Sequence, residues 1–139
     1  MNHINSRCVK GVFAFGFLLS ILLFGSQCTD TFSQGKDIYI NRCSTCHGRE
    51  GQGLAGLYPP LDSSVVIRDS LFLIPCIIKN GLQGPRIVNG QHFNRKMDKI
   101  TGLNDVEISN LINYLHAAFG KSAHSIYPKT IDKWIDDCK

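Results

Sequence analysis

Cys43-Ser44-Thr45-Cys46-His47 is the stretch on which the reading of this chain turns. Two thiols three positions apart, followed at once by an imidazole, make the C-x-x-C-H pattern of covalent haem attachment. Each thiol adds across a vinyl group of the ring, and the adjacent His lies against one face as an axial ligand to iron. Two blander uses compete for the same cysteines. A zinc half-site needs a second ligand pair at similar spacing, and the sequence holds no other CxxC and no HxxxH. A thioredoxin-type redox pair needs a βαβ pattern around it, which the flanking residues do not supply.

The chain has 139 residues, enough for one domain and a targeting segment. Its net charge of +4 comes from scattered basic residues and does not suggest nucleic acid as a partner. Six cysteines in so short a chain point to an oxidising compartment. The N-terminus agrees. Arg7 and Lys10 precede an apolar run from Gly11 to Phe24, the order of a signal peptide, and the run is short for a membrane span. Its end can be read in two ways. Gly25-Ser26-Gln27-Cys28 resembles a lipobox, which would make Cys28 a lipid anchor, with Gln27 in place of the small residue expected there. Cleavage after Thr31-Phe32-Ser33 satisfies the small-x-small rule and would leave Gln34 first. The expected organisation is a signal peptide or lipoprotein signal over residues 1–28, a domain over 29–120, and a tail over 121–139 packing on it.

Around the motif, the spacing from Ser33 to Arg42 predicts a helix, with Ser33 or Thr31 as N-cap and Asp37 near its positive end. Gly35 costs such a helix about 1 kcal/mol against Ala, which makes sense if another helix crosses closely there. After His47, the glycines at 48, 51, 53 and 56 do not follow the phosphate-binding spacing and no strand precedes them, so nucleotide binding is excluded. They let backbone lie flat against a large planar cofactor. Tyr58-Pro59-Pro60-Leu61 then stiffens the chain, and a proline carbonyl here can accept the Nδ1 proton of His47 and orient the ring.

Asp69-Ser70 reads as a cap for a helix from Leu71 to Ile78 closed by Lys79-Asn80-Gly81, with Pro75 either kinking it or marking its true first turn. Gly84-Pro85 and Asn89-Gly90 are turn signals, so residues 82 to 96 read as an irregular loop bending tightly at Asn89-Gly90. Met97 follows, 50 residues after His47 and the only methionine besides Met1. A Met flanked by Arg95, Lys96, Asp98 and Lys99 is an unusual core filler, and a thioether opposite His47 would saturate the iron. His92 is its rival as sixth ligand; His116 and His124 read as surface histidines.

The last long helix is the best marked. Asn104 and Glu107 make a capping box, and Leu103 and Ile108 occupy the staple positions. Ile108, Leu111, Ile112, Leu115 and Phe119 follow a 3.6 period to a stop at Gly120. Its stripe needs a partner, and the Gly35/Tyr39 face offers one, with Leu111 and Tyr114 crossing over it.

Together, a first helix with Gly35 and Tyr39, the CxxCH at 43–47, Met97 and a final helix with Leu111 and Tyr114 resemble the small monohaem class I cytochromes c, over roughly residues 33 to 120. The resemblance implies an all-α cytochrome c fold in which the first and last helices cross beside a covalent haem, one haem c per chain. It maps the thioether cysteines onto Cys43 and Cys46 and the iron ligands onto His47 and Met97. Asp98 stands where many members have a proline after the ligand Met. It also implies haem attachment outside the cytoplasm, hence a periplasmic place, and single-electron traffic with membrane or periplasmic redox proteins rather than enzymatic turnover.

Outside that core, residues 130 to 137 read as a short helix that folds back to bury Trp134, with Ile131 and Ile135 on the same face. Cys76 and Cys138 are the spare thiols, and in an exported protein they are expected to pair and pin the tail to the middle segment. Arg42, Arg49, Arg86, Arg95, Lys96 and Lys99 lie near the motif or the Met97 loop and could steer an exposed haem edge toward an acidic partner. The competing class is a five-coordinate haem, a gas sensor or small peroxidase, which requires that Met97 not bind; no acid–base constellation accompanies it.

Overall fold

Residues 32–122 and 125–138 are described by the computed structural model. The export segment, Cys28 and His124 lie outside them. The elements in order are α1 (Ser33–Arg42), α2 (Ser44–His47), α3 (Val65–Asp69), a 3-10 turn (Leu71–Leu73) and α4 (Ile74–Asn80). A two-stranded hairpin, β1 (Arg86–Val88) and β2 (Gln91–Phe93), leads to α5 (Asp105–Ala118) and α6 (Pro128–Asp136).

The core is built on the crossing of α1 and α5. Gly35 is buried at that crossing: a Cβ there would run into the backbone carbonyl of Asn110 and sit 2.7 Å from Tyr114 Cβ. The missing side chain lets the two backbones approach, which offsets the poor helix propensity of glycine. Beyond it, Tyr39 packs its ring 5.5 Å from that of Tyr114 and 5.4 Å from that of Phe119. Phe119 is a third aromatic that the sequence marked only as part of a stripe. Tyr39, Ile108, Leu111 and Ile112 are fully buried, each such side chain contributing about 1.5–3 kcal/mol of transfer free energy.

The caps divide between expectation and correction. Asn104 accepts from Glu107 N at 3.0 Å while Glu107 reaches back to Asn104 N at 2.9 Å, the full capping box. At α1, in contrast, Phe32 is the N-cap with no side-chain cap bond and Ser33 is the first helical residue, while Thr31 lies outside the described residues. Ser70 makes no cap bond either. The capping side chain of the middle region is Ser64, which accepts from Ile67 N at 3.4 Å and starts the short α3, a helix that no periodicity in the sequence marks.

The single helix expected from Leu71 to Ile78 is two elements. Pro75 stands in the first turn of α4, where its lack of an N–H costs nothing, and the chain before it winds as a 3-10 turn. Residues 86–93 are also not irregular. They form a hairpin registered Arg86 with Phe93, Ile87 with His92 and Val88 with Gln91, turning at Asn89-Gly90, whose φ values of 51° and 78° are those of a tight primed turn.

The segment over residues 125–138 packs against α5 and α4. Cys76 and Cys138 form a disulfide across a separation of 62 residues, an entropic restraint on the unfolded chain of about 4 kcal/mol. The residue that α6 buries completely is Ile131, while Trp134 is only partly covered and packs at the margin of the core. His116, expected on the surface, is buried at 7% exposure on the inner side of α5.

Candidate haem-binding site

The site is built where α1 ends. Cys43 caps α1 and starts α2, so the two thiols and the imidazole are presented by one and a half turns of helix. Successive hydrogen bonds fix this turn: Cys43 N to Tyr39 O at 2.9 Å, His47 N to Cys43 O at 3.0 Å and Gly48 N to Ser44 O at 2.8 Å. Tyr39 braces it from the core by donating its hydroxyl to Gly48 O at 2.5 Å. The C-x-x-C spacing puts Cys43 and Cys46 on one side of the turn, half-buried and as free thiols.

His47 is half-buried and its Nδ1 lies 3.0 Å from Pro59 O. A carbonyl only accepts, so Nδ1 carries the proton and Nε2 is left as the basic nitrogen. This is the proline carbonyl the sequence anticipated. Burial holds the imidazole below its ordinary 6.5, with the Pro59 bond acting the other way. Burial also pushes the Cys43 thiol up to about 11, assisted by Cys46 beside it and opposed by Arg42. Before attachment, Cys43 is therefore a neutral thiol.

Met97 is half-buried and held through its backbone. It exchanges both hydrogen bonds with Leu82, at 2.9 and 3.0 Å, in an isolated antiparallel bridge. Just before Leu82, Gly81 closes α4 with φ 73°, and a Cβ there would strike Met97 O and come within 2.9 Å of Lys99 N. Three residues on, Ile100 N donates to Ile78 O at 2.8 Å. The segment carrying Met97 thus hangs from the C-terminal end of α4. The rival His92 is exposed on β2 opposite Ile87, on a hairpin rather than in the bridged segment.

One contact spans the loops that carry these two residues. Arg95 places its guanidinium 5.5 Å from the centre of the Tyr58 ring and donates to the Tyr58 hydroxyl at 3.4 Å. Tyr58 immediately precedes Pro59, and Arg95 stands two before Met97. No sequence motif marked this pair. A long-range contact between an exposed Arg and a Tyr has no local pattern to reveal it.

The donor set fits a c-type haem: two free thiols at vinyl-addition spacing and an imidazole with its outer nitrogen committed. Among the described residues no group of three or more His, Cys, Asp or Glu side chains gathers as a metal site. Apolar side chains that the core leaves uncovered also concentrate between His47 and Met97. Leu54, Leu57, Val65, Phe72, Leu73 and Ile87 are all at least 40% exposed, a lining suited to a large apolar ring. The six basic residues named around this region are all exposed. Their charge is not all free for a partner, since Lys96 pairs with Asp98 at 2.8 Å and Arg95 is turned onto Tyr58.

The family model described as Cytochrome c matches residues 32–118. One cytochrome c-552 of Thermus thermophilus is 33% identical over 110 residues, which cover 74% of this chain and 71% of that protein. A second Thermus thermophilus cytochrome c-552 is 34% identical over 95 residues, 63% of this chain and 70% of that protein. Among solved structures, the c-type cytochrome XoxG from Methylobacterium extorquens AM1 aligns with a TM-score of 0.45 at 23% identity, covering 79% of this chain and 69% of that one.

Proposed function

The chain belongs to the cytochrome c family, and from that premise we propose that it is an extracytoplasmic single-electron carrier with His47 and Met97 as axial ligands. Members of the family are electron carriers with covalently bound c-type haem that work with redox partner proteins. For this chain, Cys43 and Cys46 are the residues assigned to the two thioether bonds. Bound there, the haem supplies an iron that accepts and releases one electron.

The observation that carries this reading is the His47–Pro59 contact. By fixing the proton on Nδ1, it leaves Nε2 as the only ring nitrogen able to bind iron, on a helical turn that also offers both thiols. Met97 is the sixth ligand because its segment is bridged to Leu82 and set by Gly81, whereas His92 stands exposed on the hairpin. With His47 and Met97 both holding the iron, no position would remain for a substrate, and the haem would supply electron transfer only. Its place is the periplasm, either free with Gln34 first or anchored by lipid at Cys28; mass spectrometry of the mature N-terminus separates the two.

A visible spectrum of the reduced protein with and without carbon monoxide tests the assignment. A six-coordinate carrier barely responds. A large spectral change on adding carbon monoxide would instead identify a five-coordinate gas sensor or small peroxidase. In Met97→Ala the response should appear, and a variant that kept the low-spin spectrum of the parent would remove Met97 from the ligand set. Docking to an acidic partner, the role given to the exposed Arg and Lys residues, predicts electron transfer that slows as ionic strength rises.

A further inference from the structure

We propose that the C-terminal segment Ile126–Cys138 is a clamp that governs how easily Met97 leaves the iron, with Cys76, Cys138 and Asn113 as its positioning residues. The clamp rests on the reading of Met97 as a ligand. It deepens that reading by assigning control of the ligand to a segment, Ile126–Cys138, that lies beyond the 32–118 stretch matching the family model.

The segment is held at both ends by different parts of the fold. At its start, Ile126 is gripped by α5. Asn113 Nδ2 donates to Ile126 O at 2.9 Å, Ile126 N donates to Asn113 Oδ1 at 2.7 Å, and Ser109 Oγ donates to Ile126 O at 2.6 Å. In its middle, Ile131 is fully buried in the core. At its end, Cys138 is bonded covalently to Cys76 in α4. The segment therefore ties α5 to α4.

Those two helices lead to the two proposed ligands. α5 crosses α1, whose C-terminal end carries Cys43 and leads into His47. α4 carries the Met97 segment, through Ile78 O accepting from Ile100 N, the close approach at Gly81 and the Leu82–Met97 bridge. α4 is only seven residues long, has a proline in its first turn and is preceded by a 3-10 turn. A helix that short has little stability of its own and is held by its packing. Besides its buried residues Ile74, Pro75 and Ile78, α4 is held by a half-exposed Lys79–Asp105 ion pair to α5 at 3.6 Å and by the disulfide to the end of the C-terminal segment. Such an ion pair contributes little, which leaves the covalent tie as the restraint that keeps α4, and with it the Met97 segment, from opening locally.

The test measures binding of imidazole to the ferric holoprotein, because an outside ligand enters only when Met97 leaves. Cys76→Ser/Cys138→Ser should bind imidazole about tenfold faster than the parent, equivalent to about 1.4 kcal/mol in the local opening equilibrium. Gly35→Ala, which lowers global stability at the α1–α5 crossing, should stay close to the parent rate. A double variant that binds at the parent rate overturns the clamp. Should the double variant not mature, the folded parent protein is reduced with a phosphine, alkylated and reoxidised at the haem; the same acceleration supports the clamp and an unchanged rate overturns it. Met97→Ala in the same assay isolates the underlying reading. If it accelerates binding while the disulfide variants do not, the clamp alone falls. If Met97→Ala binds at the parent rate, the ligand assignment falls and the clamp with it.

Discussion

Pro59 O accepts the proton of His47 Nδ1 at 3.0 Å, so a backbone atom twelve residues away decides which nitrogen of the imidazole is available to iron. The same surroundings hold His47 below its ordinary 6.5, mainly through burial. The fold favours the neutral ring. The stability it contributes is present above the unfolded-state value and lost as pH falls through the lowered folded one. Iron bound at Nε2, as proposed, would act in the same direction. An acid titration followed by haem absorption should therefore show loss of the low-spin spectrum below pH 6.5, and a midpoint at or above that value would contradict the assignment of His47.

Tyr39 is fully buried and its hydroxyl donates to Gly48 O. Tyr39→Phe keeps the ring contacts with Tyr114 and Phe119 but leaves Gly48 O with only the longer bond from Gly51 N at 3.3 Å. The expected cost is about 1–2 kcal/mol, read as a lower denaturant midpoint of the holoprotein.

At Gly35 two effects oppose. Alanine gains about 1 kcal/mol of helix propensity, yet its Cβ would be driven into Asn110 O and the Tyr114 side chain. Overpacking against backbone costs about 1–3 kcal/mol and should win, because a carbonyl in α5 cannot rotate aside. Gly35→Ala is expected to unfold at lower denaturant; a stabilised variant would show that the helices can part without penalty.

Gly81 and Gly102 separate backbone strain from contact. Both have positive φ, 73° and 82°, but a Cβ at Gly81 meets the Met97 segment whereas one at Gly102 meets nothing. Gly102→Ala should cost only the left-handed strain, about 1–2 kcal/mol, and leave the haem spectrum alone. Gly81→Ala should add displacement of Met97 and appear as faster entry of outside ligands and a lowered reduction potential. Equal spectra for the two variants would argue that Gly81 does not set the sixth ligand.

Removing the disulfide should also register globally. Because the closed loop spans 62 residues, Cys138→Ser is expected to lose about 2–4 kcal/mol of stability, measured by chemical denaturation under non-reducing conditions.

Much of this was legible in the chain itself, wherever the signal is local. The CxxCH turn, the α1 boundaries, the Asn104/Glu107 box, the Asn89-Gly90 turn and the crossing at Gly35 and Tyr39 all follow from short-range spacing or from one periodic face. The middle of the chain was less legible for the same reason. α3 has five residues and the β strands three each, too few to show a period, and Pro75 allowed two readings until packing chose one. His116 looked like a surface residue because an imidazole late in a helix reads as polar, yet it stands four residues after Ile112 on the covered face of α5 and is buried there.

The sequence by itself determined the chemistry of attachment, since vinyl addition and one axial bond need only two thiols and an imidazole on a single turn. It also determined the helix pair beneath that turn. Only the tertiary structure decided which carbonyl orients His47, that the Met97 segment hangs from the end of α4, and that Cys138 ties that helix back to the core. Each of these joins residues far apart in the chain, and contacts of that kind are set by how faces pack once the elements exist.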